Sequence, residues 1–275
     1  MKNPATAYNI EIISLIYCNT DYLEMIVEEL KKVQRENSQI NVGIRVVAND
    51  ANKKVIRKLR KLDVPYAIYN DKNPDEYYIN RVYRCYNYAV KTSKYDNVCL
   101  VNSDMCFSKN WLKNLLKYHN GVNIPSSRLV ESGKMPSGKY GVSLNCGTHP
   151  TCMDFEKWQK VSEEMAFNDK DVVKEGGLYM PCIFETKRFI EAGGYPEGNV
   201  YSGGIGSLRG EFIKSGDDYF FHDILEKKFN MKHITVFDSL CYHIQEGERD
   251  EDFKVKLQKI KIKIKKRVKK LIKFF

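Results

Sequence analysis

Short apolar runs alternate with amphipathic segments through the first hundred residues of the chain. Ile10–Tyr17, Val42–Ala48, Val64–Tyr69 and Val98–Val101 are largely apolar, and polar turns follow them, which predicts four buried strands. Between these runs, apolar residues recur every three or four positions, as they do on one face of a helix. Strands and helices that alternate at this spacing predict a mostly parallel, doubly wound sheet. Ligands of such sheets bind outside the carboxyl ends of the strands.

The second half of the chain has a less regular pattern. Residues 121–150 are rich in Gly, Ser, Pro and Asn, which predicts loops and short strands. Six glycines between residues 198 and 216 predict a mobile loop. The remaining apolar patterns predict helices and strands as follows: helices at 154–165, 185–192 and 216–229, and strands at 178–184 and 234–242.

Charge divides the chain into a body and a tail. The 45 Lys and Arg residues exceed the 35 Asp and Glu residues by ten. Residues 254–275 hold eleven of the basic residues and no acidic residue, so the rest has 34 basic against 35 acidic residues. A body of net charge −1 argues against a nucleic-acid-binding protein, which needs a basic face.

The tail has its own pattern. Its apolar residues step by three or four positions and are surrounded by lysines, which predicts a basic amphipathic helix. We expect residues 253–275 to bind an anionic membrane surface. The stripe would also allow packing on the body or disorder in solution, and the Lys-Ile alternation at 259–264 would also suit a strand.

Two further patterns concern the cellular compartment in which the protein occurs. The apolar run Ile10–Cys18 is short and contains Glu11, which predicts that no secretory signal is present. Eight cysteines occur without a CxxC pair, which favours reduced, mostly buried thiols over a disulfide framework or a zinc site. We therefore expect a cytoplasmic protein, peripheral on the cytoplasmic face of the membrane.

Polar clusters follow the predicted strands. Asp104, at the end of the fourth strand, suits a divalent cation that neutralises a diphosphate, although a helix cap or a turn is the alternative. Asp217 and Asp218 follow Gly216, where a carboxylate can serve as a general base or cap a helix. His243 ends the last predicted strand, either as a ligand or as a structural histidine.

In their order and spacing, these motifs resemble the family 2 glycosyltransferases, which have the nucleotide-sugar-binding fold called GT-A. The resemblance spans about residues 10–245. The matching motifs are the opening strand and turn Ile13–Asn19, the second strand and acidic turn 46–52, Asn102-Ser103-Asp104 at the Asp-x-Asp position, the turn Gly193-Gly194-Tyr195, and Gly216-Asp217-Asp218 at the Gly-Glu-Asp position.

The resemblance implies roles for individual residues. Those implied to contact the nucleotide sugar are Asn19, Asp50, Arg81, Arg84, Asn102 and Ser103. Asp104 and His243 are implied to bind Mn²⁺ or Mg²⁺. Asp218 is implied to be the catalytic base with Asp217 in support, although Asp217 replaces the usual Glu and leaves the register of the base open by one residue. Asn102 replaces the first Asp of the motif, and an amide oxygen binds a hard cation more weakly than a carboxylate does.

The resemblance also implies a fold and a reaction. We expect a single GT-A domain at 1–248, with a nucleotide-sugar-binding half (1–105) and an acceptor-binding half (106–248), followed by the tail at 249–275. The implied reaction is inverting transfer of a sugar from a nucleotide-sugar donor to a hydroxyl of a glycan or lipid-linked acceptor. One alternative is a non-catalytic glycan- or membrane-binding module. A sugar nucleotidyltransferase is disfavoured, because no Gly-rich phosphate loop follows the first strand.

Overall fold

A computed structural model describes residues 8–71, 78–197 and 216–245 of the chain. The described residues form one mixed α/β sheet structure. Its strands are β1 (Asn9–Ile16), β2 (Asn41–Asn49), β3 (Tyr66–Tyr69), β4 (Asn97–Val101), β5 (Met105–Phe107), β6 (Asn123–Glu131), β7 (Val142–Ser143), β8 (Val173–Glu175), β9 (Cys182–Glu185) and β10 (Lys232–His243).

Helices cover both faces of this sheet. They are α1 (Thr20–Glu36), α2 (Lys53–Leu59), α3 (Tyr78–Lys91), α4 (Trp111–Leu116), α5 (Phe155–Asn168), α6 (Thr186–Glu191), α7 (Gly216–Asp218) and α8 (Lys227–Phe229). Between α7 and α8 the helix continues through Tyr219–Glu226 with wide, π-helical turns. A 3-10 turn forms at Pro150–Cys152.

The strand order confirms the mostly parallel sheet. Neighbouring strands follow the order β3-β2-β1-β4-β9-β6-β10-β5, with β7 beside β6 and β8 beside β10. β3, β2, β1 and β4 are parallel to one another, and β6 is parallel to β10. Since β9 is antiparallel to both β4 and β6, it reverses the direction twice. The carboxyl ends of β1, β2, β4, β6 and β10 therefore lie along one edge.

Both faces of the sheet are buried, as expected of strands with continuous apolar runs. Side chains of β1 alternate between the two faces: Ile12 and Ile16 belong to one apolar cluster, and Ile13 and Leu15 to the other. The apolar cluster with Ile12 and Ile16 includes residues of α1 and α4, and the apolar cluster with Ile13 and Leu15 includes residues of α3 and α6. This burial holds the central strands in register and so positions the polar residues at their ends.

Two expectations differ from the structure. Residues 121–150 contain β6, a nine-residue strand within the sheet, where loops and short strands were expected. Its polar residues are hydrogen-bonded inside the core; Ser127 Oγ, for example, accepts a 2.6 Å bond from Trp111 Nε1. The strand expected at 178–184 begins only at Cys182.

Other expectations stand as follows. All eight cysteines are free thiols, and six of them are buried. The helices within the described segments include none that is both long and apolar enough to cross a bilayer. The two expected halves of the domain share one sheet, and their division at residue 105 stays a prediction. The basic tail and most of the glycine-rich loop lie outside the described residues.

Candidate active site

The ends of β1 and β2 meet α3 in a first polar cluster. The Arg81 guanidinium lies over the Tyr17 ring, 4.4 Å from its centre, and Arg81 Nε is 3.8 Å from Asp50 Oδ2. The Asp50 side chain is only 4% exposed, and its Oδ1 accepts a 3.0 Å hydrogen bond from the backbone N–H of Asp71. The fold thus brings two predicted residues, Asp50 and Arg81, together at the edge where ligands of such sheets bind, with Arg81 against an aromatic ring.

Two further predicted residues have partners within the protein in this region. Arg84 forms an ion pair with the Asp71 carboxylate and also donates to the Asp71 carbonyl at 2.7 Å. Asn19 caps α1, because its Oδ1 accepts a 2.6 Å bond from the backbone N–H of Asp21. In the structure, Arg84 therefore orders the Asp71 segment, and Asn19 fixes the start of α1.

The second cluster joins the end of β10 to the loop after β4. His243 Nε2 lies 3.4 Å from Asp104 Oδ2, and His243 Nδ1 lies 3.1 Å from Glu131 Oε1 at the end of β6. Backbone pairing holds the cluster, because Ile244 N–H donates to the Asp104 carbonyl at 3.0 Å. The structure brings the predicted pair Asp104 and His243 together, and adds Glu131.

The electrostatics of this second cluster follow from its burial and its pairing. Burial opposes the charge on His243, but Asp104 and Glu131 outweigh it and raise the pKa of His243 to about 10. Burial likewise opposes the charges on both carboxylates, yet the pKa of Asp104 and that of Glu131 are lowered by His243. At neutral pH the cluster therefore holds two carboxylates and one imidazolium.

Asn102 and Ser103 lie at the end of β4, beside this cluster. The Tyr86 hydroxyl is 2.9 Å from the Val101 carbonyl and 3.1 Å from Asn102 Oδ1, so it bonds to the strand end. Ser103 is 9% exposed. The amide oxygen of Asn102 thus has a partner within the protein, while its NH₂ group is a donor that suits a hydroxyl or a phosphate oxygen.

The third cluster surrounds the start of the helix at Gly216. Asp218 Oδ1 accepts a short hydrogen bond from the Tyr179 hydroxyl. That hydroxyl also lies 3.2 Å from His222 Nε2, and His222 Nδ1 lies 3.0 Å from Glu226 Oε2. Burial, followed by the hydrogen bond to Asp218, raises the pKa of Tyr179, so the phenol stays protonated and donates to the carboxylate.

Close packing fixes this helix start against α3. Gly216 approaches Tyr83 so closely that a Cβ atom would lie 2.3 Å from the ring. The Tyr83 hydroxyl accepts a 3.2 Å bond from the backbone N–H of Asp217, and its ring stacks on Tyr195 at 5.0 Å. The glycine therefore allows the carboxylates of the motif to sit directly beside α3.

The turn that carries Tyr195 is fixed by the same helix. Asn87 Oδ1 accepts from Tyr195 N–H at 2.9 Å, and Asn87 Nδ2 donates to the Tyr195 carbonyl at 2.8 Å. Gly194 has a φ of +73°, and a Cβ atom there would lie 2.4 Å from Asn87 Oδ1. The Gly-Gly-Tyr turn predicted from the sequence thus docks on α3 through Asn87.

Tyr86 connects the second and third clusters. Its pKa is raised well above the usual value, first by burial and then by neighbouring charges that include Asp104 and Asp217. Both carboxylates therefore lie within electrostatic range of a single hydroxyl.

Sequence reasoning missed several polar residues of these clusters, among them Glu131, Tyr179 and Asp71. Glu131 follows an apolar pair at the end of β6, and would have been found had this strand been predicted as a parallel neighbour of β10. Tyr179 and Asp71 lie in irregular segments. No periodic pattern marks those two residues, because their roles depend on contacts with residues distant in sequence.

A divalent cation would have to take part of its coordination from a ligand. Within the described ranges, no group of three or more His, Cys, Asp and Glu residues is arranged to hold a metal ion. Asp104 and His243 supply an oxygen and a nitrogen 3.4 Å apart, and the nitrogen becomes a ligand once a cation displaces its proton. Donors about 2.1 Å from one ion and at right angles to each other lie about 3 Å apart, and Mg²⁺ typically adds phosphate oxygens and water to one or two protein ligands. The donor set therefore fits a cation shared with a diphosphate.

Comparison with known proteins supports the fold. No family model matches the sequence, and no curated protein matches it. Among solved structures, the mannosyltransferase PcManGT from Pyrobaculum calidifontis, in complex with GDP-Man and Mn²⁺, has 14% identity and a TM-score of 0.51. That match covers 88% of this chain and 61% of the mannosyltransferase. The chain thus has a glycosyltransferase-like α/β fold and spans about three fifths of the length of this relative.

Two further structures have lower TM-scores. GalNAc-T7 with UDP, GalNAc and Mn²⁺ is 11% identical at a TM-score of 0.49, covering 87% of this chain and 44% of that protein. TarS 1–349 from S. aureus is 12% identical at 0.48, covering 85% of this chain and 60% of that protein. At these identities, the likeness concerns the fold alone.

Proposed function

We propose that this protein is an inverting glycosyltransferase, which moves a sugar from a nucleotide-sugar donor to a hydroxyl of a glycan or lipid-linked acceptor. The observation that carries the proposal is the Asp104–His243 pair at the carboxyl edge of a glycosyltransferase-like sheet. Ligand sites of open α/β sheets occur at this edge. The proposal assigns a separate task to each of the three clusters.

The first cluster would bind the nucleoside. The Tyr17 ring offers a flat apolar surface already covered on one side by Arg81, and the Asp50 carboxylate can accept hydrogen bonds from ribose hydroxyls or a base. Arg81, beside this carboxylate, would add positive charge towards a diphosphate. We assign Asn19, Arg84 and Ser103 to the support of this binding surface, and the Asn102 amide to direct contact with the donor.

The second cluster would hold a divalent cation through Asp104 and His243. Mn²⁺ is present in the structure of the related mannosyltransferase, and Mg²⁺ has similar ligand requirements. When bound, such an ion offsets the charge that develops on a departing diphosphate. Glu131 would orient the His243 ring through Nδ1, as carboxylates do behind metal-binding histidines.

The third cluster would supply the base. Asp218 would take the proton from the acceptor hydroxyl as its oxygen attacks the anomeric carbon. The bond from that carbon to the diphosphate oxygen breaks on the opposite face, so the configuration inverts and the diphosphate leaves with the electron pair. Tyr179 holds one oxygen of Asp218 and leaves the other for the proton, and Asp217 stands beside it in support.

Two observations favour a second candidate, a non-catalytic glycan- or membrane-binding module with this fold. Asn102 replaces a carboxylate, and its amide oxygen already bonds to Tyr86. The Asn49 amide oxygen, at the end of β2, is also buried and has no hydrogen-bond donor among the described residues. Such a module would bind its ligand without cleaving the bond between a sugar and a nucleoside diphosphate.

The deciding experiment measures hydrolysis or transfer for a panel of nucleotide sugars with Mn²⁺ or Mg²⁺. We expect Asp104→Asn and Asp218→Asn to lower kcat/KM by about 100-fold or more, equivalent to about 2.7 kcal/mol of transition-state stabilisation. Asp63→Asn, at an exposed aspartate in the turn before β3, at the edge of the sheet opposite the carboxyl ends of the strands, is the control and should equal wild type. Equal rates in all four proteins would reject the catalytic assignment, and donor binding without turnover would favour the second candidate.

We also propose that residues 253–275 bring the enzyme to the cytoplasmic face of an anionic membrane, next to a lipid-linked acceptor. Each Lys or Arg near such a surface contributes about 1 kcal/mol before screening. A variant that ends at residue 250 should lose binding to vesicles containing phosphatidylserine, and wild type should lose it as salt is raised. Undiminished binding of the truncated variant would refute this role.

A further inference from the structure

A separate cavity lies between α4, α5 and β10. Its volume is about 330 Å³, near the lower end of the range for small-molecule sites. Its wall includes Asp238 of β10, Phe167 of α5 and three lysines, none of which belongs to the clusters above. Asp238 precedes His243 by five residues, which corresponds to roughly 15 Å along a strand.

The Asp238 carboxylate is buried with only one oxygen in use. The side chain is 3% exposed, and Oδ2 accepts from Asp171 N–H at 3.3 Å and from Lys117 Nζ at 3.4 Å. Oδ1 is buried and has no hydrogen-bond donor among the described residues. An unsatisfied buried acceptor typically costs about 1–3 kcal/mol, so this oxygen favours a donor from outside the chain.

The backbone presents Asp238 to this cavity through an irregularity in β10. The register of β10 against β6 shifts between Val236 and Leu240, which leaves the intervening residues out of the ladder. Ser239 Oγ donates to the Trp111 carbonyl at 3.0 Å, and Asn114 Nδ2 donates to the Asp238 carbonyl at 2.7 Å. Bulges of this kind re-aim side chains and are common beside functional sites.

The charges around the cavity favour a neutral ligand. Lys109, Lys117 and Lys170 would repel a cation, while Asp238 and Glu163 would repel an anion. A hydroxyl group suits both kinds of charged side chain, because it donates to a carboxylate and accepts from an ammonium. The ligand class that fits is therefore a polar molecule without net charge and with several hydroxyls.

An exposed aromatic ring narrows the class further. Phe167 lines the same cavity, and at 81% exposure it is the most exposed large apolar side chain among the described residues. An exposed ring beside hydrogen-bonding groups suits a ligand with one apolar face and a polar edge. A pyranose ring has this character, since its C–H groups form a face and its hydroxyls radiate from the edge.

We propose that this cavity is a binding site for a neutral saccharide unit, with a sugar hydroxyl donating to the Asp238 carboxylate and the sugar face packing on Phe167. The site is distinct from the proposed active site and does not depend on the transferase activity. It would bind a glycan at a second point on the protein surface.

Saturation-transfer NMR on the full-length protein tests the proposal. The probes are glucose, galactose, mannose, N-acetylglucosamine and their β-linked disaccharides, with inorganic phosphate as the anionic comparison. We expect at least one saccharide to bind wild type with a Kd of about 1–10 mM. Phe167→Ala should weaken that binding at least tenfold, and Asp238→Asn should weaken it with the thermal transition kept cooperative.

Phe155→Ala is the matched control, because Phe155 is an exposed phenylalanine on the same helix, 47% exposed, and lies outside the cavity wall. It should leave the affinity unchanged. The proposal is overturned if no saccharide of the panel binds wild type, or if binding survives both Phe167→Ala and Asp238→Asn. It is equally overturned if phosphate alone binds in a way that depends on these two residues.

Discussion

Replacing Glu131 by glutamine changes the charge of the second cluster without changing its shape. Glutamine has nearly the same length as glutamate, and its amide oxygen can still accept from His243 Nδ1, which lies 3.1 Å from the Glu131 carboxylate. His243 keeps Asp104 as its other partner, 3.4 Å from Nε2. The other oxygen of Glu131 accepts a 3.2 Å bond from Gly138 N–H, which the glutamine NH₂ group cannot replace. His243 keeps both of its partners, so the change in its pKa reports the charge of Glu131.

The size of the effect follows from the distance. Two unit charges 3.1 Å apart interact by about 5 kcal/mol at an effective dielectric constant of about 20. One pH unit corresponds to about 1.4 kcal/mol, and the remaining amide hydrogen bond keeps part of the interaction. We therefore expect the pKa of His243 to fall from about 10 by about 2 to 3 pH units in Glu131→Gln.

Stability should follow the same pKa. Because the folded pKa of His243 is raised, its charged form stabilises the fold fully below the unfolded value of about 6.5, and this stabilisation is lost as pH rises towards 10. In Glu131→Gln the loss should be complete at a lower pH. At pH 6 the free energy of unfolding should be about 3 kcal/mol lower than in wild type, and the difference should shrink as pH rises to 10.

The assay is long-range ¹H–¹⁵N NMR of ¹⁵N-histidine-labelled protein in chelator-treated buffer between pH 5 and 11. The chain has five histidines, and His243→Gln identifies the resonance in question. The control is Glu226→Gln, which removes a carboxylate 3.0 Å from the half-exposed ring of His222 and should leave the titration of His243 as in wild type. Titration of wild-type His243 between pH 6 and 7, or an unchanged value in Glu131→Gln, would refute the deduced cluster.

Three other predictions concern the packing at Gly194, the orientation of the proposed base Asp218, and the stability of the fold at acid pH. Gly194→Ala should destabilise the fold by about 1–3 kcal/mol more than Gly193→Ala, as measured by chemical denaturation. Both glycines have a positive φ, so both substitutions strain the backbone. Of the two, only Gly194 would bring a Cβ atom against another residue, 2.4 Å from Asn87 Oδ1. Tyr179→Phe should lower kcat by about tenfold or more with little change in KM for the donor, because the proposed base loses the hydroxyl that orients it; an unchanged kcat would contradict this. Burial lowers the pKa of His233 to about 3, so this ring stays neutral in the fold. The unfolded chain gains a proton on His233 below about pH 6.5, so the free energy of unfolding should fall by about 2 kcal/mol as pH drops from 6.5 to 5. His233→Phe should show a shallower decline of Tm over that range.

Much of the fold could be predicted because its signals are local. The apolar runs of β1 and β2 and the helical periodicity of α1 lie within short windows, and the burial they predict is present on both sides of the sheet. β6 was not predicted as a central strand because Pro125 lacks a backbone N–H and Ser126 and Ser127 are polar, which interrupts the apolar pattern of its first half. These residues are buried, and the serine hydroxyls find partners on other elements, which no local pattern reports.

The candidate site, like the fold, was predictable from the sequence only in part. Asp104 and His243 were predicted from their positions at strand ends and from motif order, and the structure places them 3.4 Å apart. The contact of His243 with Glu131 spans 112 positions in sequence and exists because β6 pairs with β10. A neighbour of this kind depends on strand order, and it stays hidden when a segment that forms a long strand is expected to form loops and short strands.

The sequence by itself determined the fold class, the neutral body with its basic tail, and the carboxylates at the strand ends. It could do so because burial periodicity and charge are properties of neighbouring residues. Only the tertiary structure decided which side chains share a cluster: Glu131 behind His243, Tyr179 on Asp218, and Asp238 beside Phe167 in the wall of a separate cavity. The physical reason is that strand pairing and helix packing join distant segments, and hydrogen bonds and pKa values depend on distances of a few ångströms between them.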